Sequence, residues 1–151
     1  MRDHRKLRAF ELADDLALNV YRNTARFPRD EMHGLTSQMR RAAVSVPSNI
    51  VEGCARSSEA EYLRFLEIAY SSVKELEYQI GLSHRLEFLG PHAHNDLASR
   101  ASETAKVLNG LIRALQSKAY GLKPDSDCAG TAKRTLPPTA LAGSHHARLG
   151  R

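Results

Sequence analysis

Apolar residues recur every three or four positions through most of the first 118 residues, which is the spacing of one face of an α-helix. Residues 35–56 show the pattern most completely, because they carry two stripes at this spacing. The apolar stripe consists of Leu35, Met39, Ala42, Val46, Ile50 and Cys54. The polar stripe consists of Gln38, Arg41, Ser45, Asn49, Glu52 and Arg56. Since polar groups need partners when they are buried, the second stripe predicts a helix that is covered on two sides.

Pro47 lies in the middle of this stretch, where it has no N–H and its ring opposes the carbonyl of Ala43, a conflict that costs about 3 kcal/mol or more. The helix either continues through Pro47 with a kink, or it breaks and restarts with Asn49 as N-cap and Glu52 closing a capping box. The kinked helix is favoured, because the apolar stripe continues in register across the proline.

The first predicted helix covers residues 7–26 and ends because the residue before Pro28 is pushed out of the α region. Residues 28–34 form the connection, with room for one helical turn. Thr36 or Ser37 is expected to cap the second helix.

The third predicted helix opens with a capping box, in which Ser58 is the N-cap and Glu61 is the partner three residues on. It is expected to continue up to Gly90 and Pro91. The fourth helix covers residues 92–118. Four helices with short connections predict an all-α fold, an antiparallel up-and-down four-helix bundle.

The chain therefore divides into a basic arm over residues 1–6, the bundle over residues 7–118, and residues 119–151, which have no sustained period and are predicted to be a disordered tail. The apolar content of 42% and the charged content of 26% are typical of globular proteins. The formal charge is +5, which permits nucleic acid as a partner without requiring it.

Cys54 and Cys128 lie far apart and form no Cys-x-x-Cys motif, so both are interpreted as reduced thiols of a cytosolic protein. No apolar segment follows the charged N-terminus, so a signal peptide is not expected. No run of 18 apolar residues occurs, so no membrane association through a spanning helix is expected either.

No catalytic motif stands out. The sequence has no G-x-S-x-G elbow, P-loop, dinucleotide fingerprint or H-E-x-x-H, so we expect neither an enzyme nor a cofactor. His92 and His94 are two positions apart and would point away from each other on a helix. Surface histidines are therefore a better interpretation than a metal site.

Arg40, Arg41 and Arg56 are the candidates for binding the phosphates of a nucleic acid. The structural alternative pairs Arg41 with Glu75 of the third helix, and Arg56 with Glu52 four residues earlier. This alternative is favoured for Arg41, and neither is favoured for the other two arginines. The residues expected to form an interface or a buried polar network are Gln38, Arg41, Ser45, Asn49, Glu52 and Glu75.

The second and third helices carry a specific set of short motifs. These are Gly34-Leu35-Thr36-Ser37-Gln38, Arg40-Arg41-Ala42, Val44-Ser45, Pro47-Ser48-Asn49-Ile50, Glu52-Gly53, Phe65-Leu66-Glu67-Ile68-Ala69 and Ser72-Val73-Lys74-Glu75-Leu76-Glu77. Over roughly residues 7–118 the chain resembles the four-helix bundle family first known from proteins encoded in 23S rRNA intervening sequences. The sequence departs from the family at Ser71, where glycine is frequent, and in the first helix, which is less hydrophobic here.

The resemblance implies a protomer that assembles into a ring, typically a homopentamer, and no enzymatic activity for most members. A related branch consists of accessory proteins of diversity-generating retroelements, which are basic pentamers that bind nucleic acid and a reverse transcriptase. The expected function is thus a non-catalytic oligomeric bundle that binds RNA or DNA through Arg40, Arg41 and Arg56. The alternatives are a retroelement accessory subunit that binds a reverse transcriptase, and a purely structural scaffold for protein interactions.

Overall fold

Four α-helices make up most of residues 2–120, the part of the chain that the computed structural model describes. They are α1 (Arg8–Thr24), α2 (Leu35–Ala55), α3 (Glu59–Arg85) and α4 (Pro91–Tyr120). Short 3-10 turns at His4–Lys6 and Arg29–Met32 precede α1 and α2. No strand occurs within residues 2–120, so the all-α prediction is confirmed.

Each helix packs against the two helices that are its neighbours in an up-and-down bundle. The backbones approach closely in the pairs α1 with α2, α2 with α3, α3 with α4, and α4 with α1, whereas those of the two diagonal pairs do not. This is the predicted arrangement. Assembly of the bundle into a ring stays a prediction.

The core is built mainly from aliphatic side chains, as a chain without tryptophan requires. The apolar stripe of α2 is buried from Met39 to Cys54. The large side chains that are fully buried beside it include Leu16, Leu66, Leu76, Ile80, Leu97 and Leu108. At about 25 cal/mol for each Å² of apolar surface removed from water, this burial is the main stabilising contribution.

The α2 helix is continuous through Pro47, so the predicted continuous helix is confirmed and the broken alternative is wrong. The predicted capping residues are also wrong. Gly34 occupies the N-cap, and Glu31 supplies the cap, since its Oε2 accepts the Leu35 N–H at 2.9 Å. Thr36 cannot cap because it already lies inside the first turn, where it is buried.

The start of α3 agrees with the prediction and its end does not. Ser58 is the N-cap, and its Oγ accepts the Glu61 N–H at 3.0 Å. The helix ends at Arg85, because Glu87 takes a positive φ of 62° and the chain turns back. The Phe88 N–H then reaches the Ser83 carbonyl at 2.9 Å.

Two residues that were predicted to belong to α3 lie in this turn, and their side chains pack against the bundle. The Phe88 ring packs against that of Phe27, with centroids 5.5 Å apart, and Leu89 is buried. After it, Pro91 is the first residue of α4, a position where its missing N–H has no helical partner to lose. The helix runs to Tyr120, two residues into the tail predicted for residues 119–151, and the rest of that predicted tail lies outside the described residues.

The N-terminal arm lies against the bundle. The Arg2 N–H donates to the Cys54 carbonyl at 3.2 Å, and its guanidinium lies 4.3 Å from the Tyr62 ring centroid. None of the helices within residues 2–120 combines the length and the hydropathy that crossing a membrane would take.

Candidate functional site

A polar groove of about 600 Å³ opens along the first half of α2, between α1 and α3. It brings together five of the predicted site residues. These are Gln38, Arg40, Arg41, Ser45 and Glu75. It is also lined by Tyr21 of α1, by Met32 of the 3-10 turn before α2, and by Ser72 of α3. We call this surface the polar groove.

Arg40 is held in a fixed position at the α1 side of the polar groove. Its Nε donates to Thr24 Oγ1 at 2.9 Å, and the Thr24 hydroxyl in turn donates to the Val20 carbonyl at 2.8 Å. The guanidinium lies over the Tyr21 ring, 4.8 Å from its centroid. The Nε group is therefore satisfied within the protomer, while the terminal nitrogens have no acceptor among residues 2–120.

Arg41 and Glu75 both line the polar groove, but the predicted ion pair between them is not formed. Arg41 is exposed and has no hydrogen bond or ion pair within the described part of the chain. Glu75 is also exposed, and its Oε1 accepts from Gln79 Nε2 of the same helix at 2.9 Å. A contact inside α3 thus replaces the expected contact between helices.

Ser45, Asn49 and Ser72 form a chain of hydrogen bonds that joins α2 to α3. Asn49 Nδ2 lies 3.0 Å from Ser45 Oγ, which lies 2.9 Å from Ser72 Oγ. Ser72 Oγ donates its proton to the Ile68 carbonyl at 3.0 Å, so Ser45 must donate to Ser72. This part of the predicted polar network exists within one protomer and is half-buried.

The polar stripe of α2 is not covered by the protein's own helices along its full length, because Gln38, Arg41 and Glu52 are exposed in the protomer. The prediction of a covered face can then hold only where a second molecule packs on it.

Arg56 is separated from the other two candidate arginines because α2 is continuous. At ~1.5 Å per residue it lies about 22 Å along the helix from Arg41. It pairs with Glu52, as the spacing predicted, and lies over the Phe65 ring at 4.9 Å from its centroid. Arg56 therefore belongs to the opposite end of the bundle.

The bundle gathers six arginines at the end where α1 and α3 finish and α2 and α4 begin. Residues 22–41 and 78–95 at this end contain only three carboxylates, those of Asp30, Glu31 and Glu87. The remainder of the bundle has slightly more acidic than basic residues. We call this region the arginine-rich end, and its arginines are Arg22, Arg26, Arg29, Arg40, Arg41 and Arg85.

Four of these arginines were missed at the level of sequence. Arg22, Arg26, Arg29 and Arg85 are all exposed, and none forms an ion pair within residues 2–120. They are spread over 64 positions of the chain, so no local motif marks them. Their proximity could have been found by asking which helix ends an up-and-down bundle brings together.

An apolar groove of about 610 Å³ runs along the outside of α1 and α2, next to the polar groove. The large apolar side chains along it are partly exposed, with Leu18 at 50%, Tyr21 at 46%, Val44 at 41% and Val51 at 37%. Pro47 lies in the same groove. This side of α1 is therefore open to solvent along Leu18 and Tyr21.

The histidines do not assemble a metal site in the described residues. His94 stacks on His84, with ring centroids 4.3 Å apart and planes at 19°, and His84 Nδ1 lies 2.9 Å from the Leu89 carbonyl. No group of three or more His, Cys, Asp or Glu side chains comes together within residues 2–120. His92 is exposed at the start of α4.

Burial governs the two titratable groups that lie between α2 and α3 at the far end. It raises the pKa of the Cys54 thiol, and it raises the pKa of the Tyr62 phenol to about 12. Cys54 is a free thiol and is almost fully buried. Both groups therefore stay neutral at physiological pH and act as packing residues.

Comparison with known proteins settles the family. Residues 5–110 match the family model described as "23S rRNA-intervening sequence protein", which is more than half of the chain. The chain belongs to this family. The match spans the polar groove and the arginine-rich end, and it stops before the last turns of α4.

Solved structures show the same fold. One of them is a crystal structure of a protein with unknown function from the S23 ribosomal protein family of Bacteroides thetaiotaomicron VPI-5482. The TM-score is 0.64 at 22% sequence identity, with 70% of this chain and 98% of that chain covered. At this identity the likeness concerns the fold alone. No curated protein matches the chain.

Proposed function

We propose that this protein is a non-catalytic, cytoplasmic member of the family that binds RNA or DNA at its arginine-rich end. One observation carries the proposal: the positive charge of the bundle is concentrated at this end, and five of its six arginines are exposed without an ion pair in the described residues. Two of the six, Arg40 and Arg41, also line the polar groove.

Exposed guanidinium groups suit a phosphate backbone because each can donate two parallel hydrogen bonds to phosphate oxygens. Such contacts release the counterions of the nucleic acid, so affinity falls steeply as salt rises. The pairing of Arg56 with Glu52 and its distance from the polar groove place it outside this proposal. Of the three arginines predicted from the sequence to bind phosphates, Arg40 and Arg41 remain candidates.

Fluorescence anisotropy with a labelled twenty-nucleotide single strand tests this binding. We expect wild-type affinity to fall as salt rises, and we expect Arg41→Gln to weaken binding several-fold at low salt because one phosphate contact is lost. Arg113→Gln is the matched control, since Arg113 is an exposed α4 arginine near the opposite end of the bundle. Affinity that does not depend on salt, or equal effects of the two variants, would count against the proposal.

We also propose that the protomers assemble into a ring, the homopentamer that the resemblance implies, through the apolar groove. Four partly exposed apolar side chains along one groove support this, because contiguous exposed apolar surface is typical of interaction sites. A second copy of the chain accounts for this surface without a reverse transcriptase, and no described residue favours that partner.

Light scattering tests the assembly. We expect a mass several times the 16.8 kDa of one chain, and five-fold for a pentamer. Val51→Glu, within the apolar groove, should lower the mass because a charge would be buried in the joint. Ile68→Glu is the control, since Ile68 is similarly exposed on α3 and does not line the groove. An oligomer that binds no nucleic acid would instead favour the scaffold interpretation.

A further inference from the structure

The polar groove contains a carboxylate among its arginines, which phosphate binding alone does not explain. Glu75 would repel a phosphate, yet it lines the same groove as Arg40 and Arg41. It accepts a hydrogen bond from Gln79, which fixes one of its two oxygens and leaves the other available. A fixed carboxylate is an acceptor only, so its partner must be a hydrogen-bond donor.

We propose that the polar groove binds one unpaired nucleotide of a single strand, and that it selects a base with an exocyclic amino group. In this arrangement Arg41 binds the phosphate, Arg40 provides a flat surface for the base, and Glu75 accepts from the amino group. The inference rests on the proposed function and adds the strandedness and the base preference.

Arg40 is prepared for stacking by its contacts with α1. Its guanidinium lies over the Tyr21 ring, and Thr24 holds its Nε at 2.9 Å. Unpaired bases stack on guanidinium planes as well as on aromatic rings. The Tyr21–Arg40 pair can therefore extend to a base without reorganisation of either side chain, and this keeps the entropy loss on binding small.

Glu75 supplies the preference among bases. Acidic side chains accept from the N4 amino group of cytosine, whereas uracil presents a carbonyl oxygen at the same position and would be repelled. Base pairing uses only one of the two amino hydrogens, so the preference for single strands comes from Arg40, because stacking on its guanidinium requires an unpaired base. The groove volume of about 600 Å³ is within the range of small-ligand sites.

Twelve-nucleotide oligocytidylate and oligouridylate provide a matched pair of probes, since both are pyrimidine strands with equal charge. We expect wild-type protein to bind oligocytidylate about tenfold more tightly in anisotropy titrations. Glu75→Gln should reduce this ratio towards one and strengthen binding to oligouridylate, because a negative charge leaves the groove. Glu75 is exposed, so the variant should fold normally.

Arg40→Lys separates stacking from charge. It keeps the positive charge and removes the flat guanidinium, so single-strand binding should weaken by about fivefold or more while duplex binding changes little. The deoxyribose strands should give the same cytosine-to-uracil ratio, since none of the three contacts uses the 2′-hydroxyl.

The outcomes distinguish the inference from the proposed function. Equal binding of the two pyrimidine strands, or a ratio that survives Glu75→Gln, would overturn the inference and leave phosphate binding intact. No binding of any strand at low salt would overturn both. A lower oligomer mass for Arg41→Ala would place the polar groove at a subunit joint and would also overturn the inference.

Discussion

Gly53 lies at a close approach of α2 and α3. A Cβ atom at this position would lie 2.9 Å from Phe65 Cβ and 3.2 Å from Tyr62 Cδ2. Real Cβ contacts are longer than this, so the absence of a side chain is what lets the two helices meet. The glycine of the Glu52-Gly53 motif is therefore required for packing.

Gly53→Ala should destabilise the bundle by about 1–3 kcal/mol, because the added methyl group would lie too close to Phe65 Cβ, which the α3 backbone holds in place. Gly110→Ala is the control, since nothing lies within 4 Å of a Cβ added there. That substitution should stabilise α4 by up to ~1 kcal/mol through helix propensity alone. Urea unfolding of both variants measures the difference, and effects of the same sign would contradict the packing account.

Tyr62 gives the stability of the bundle a dependence on alkaline pH. Burial raises the pKa of its phenol to about 12, above the usual value of about 10. Below pH 10 the phenol is neutral in both the folded and the unfolded chain, so its contribution is constant. As pH rises from 10 to 12 the unfolded chain loses the proton first, and the free energy of unfolding decreases.

Tyr62→Phe should remove this dependence. At pH 11 the loss attributable to Tyr62 is about 1.4 kcal/mol relative to pH 8. Chemical denaturation of wild type and Tyr62→Phe at both values tests it, because other titrating groups are common to the two proteins. Parallel decreases in the two proteins would show that Tyr62 makes no such contribution.

At the scale of elements, the starts of α2 and α3 show that a helix cap can be predicted from the sequence only when it is formed by a local motif. Ser58 and Glu61 form a local motif, and the structure contains the cap that the motif predicts. The cap of α2 is not a local motif, because Glu31 belongs to the preceding 3-10 turn and reaches forward to Leu35. The end of α3 was also missed, since Glu87 adopts a left-handed conformation that usually indicates glycine.

Ser58→Ala should destabilise the bundle by about 1 kcal/mol, because the Glu61 N–H loses its acceptor. Ser57→Ala is the control, as Ser57 is the exposed residue just before the cap. Thermal or urea unfolding measures both. Equal effects of the two substitutions would show that the hydrogen bond from the Glu61 N–H to Ser58 does not stabilise the bundle.

At the scale of the whole molecule, sequence periodicity was enough to predict the bundle, because the buried stripes of all four helices are continuous. The polar groove was predictable in part. Ser45 and Asn49 do form a network, but their partner Ser72 was not among the predicted site residues. The pairing of Arg41 with Glu75 failed because a nearer partner within α3 satisfies Glu75.

The charge distribution could not be predicted from composition. The composition gives the net positive charge of the chain, but the position of that charge on the surface depends on which helix ends the fold brings together. Here the arginines of α1, α2 and α3 meet at one end, while the rest of the bundle is nearly balanced. This concentration is the basis of the proposed function, since a local field attracts a polyanion more effectively than the same charge dispersed.

The most direct test of this account compares two triple variants that have the same net charge. One replaces Arg22, Arg26 and Arg29 by Gln at the arginine-rich end. The other replaces three exposed basic residues elsewhere in the bundle, Arg64, Lys106 and Arg113. The measured quantity is the slope of the logarithm of affinity for a twenty-nucleotide single strand against the logarithm of salt concentration.

Each lost phosphate contact lowers the magnitude of this slope by about 0.7 for a single strand, so the first variant should lose about 2. The second variant should keep the wild-type slope. Equal changes in the two variants would mean that only total charge matters, and that the arginine-rich end is not the binding surface.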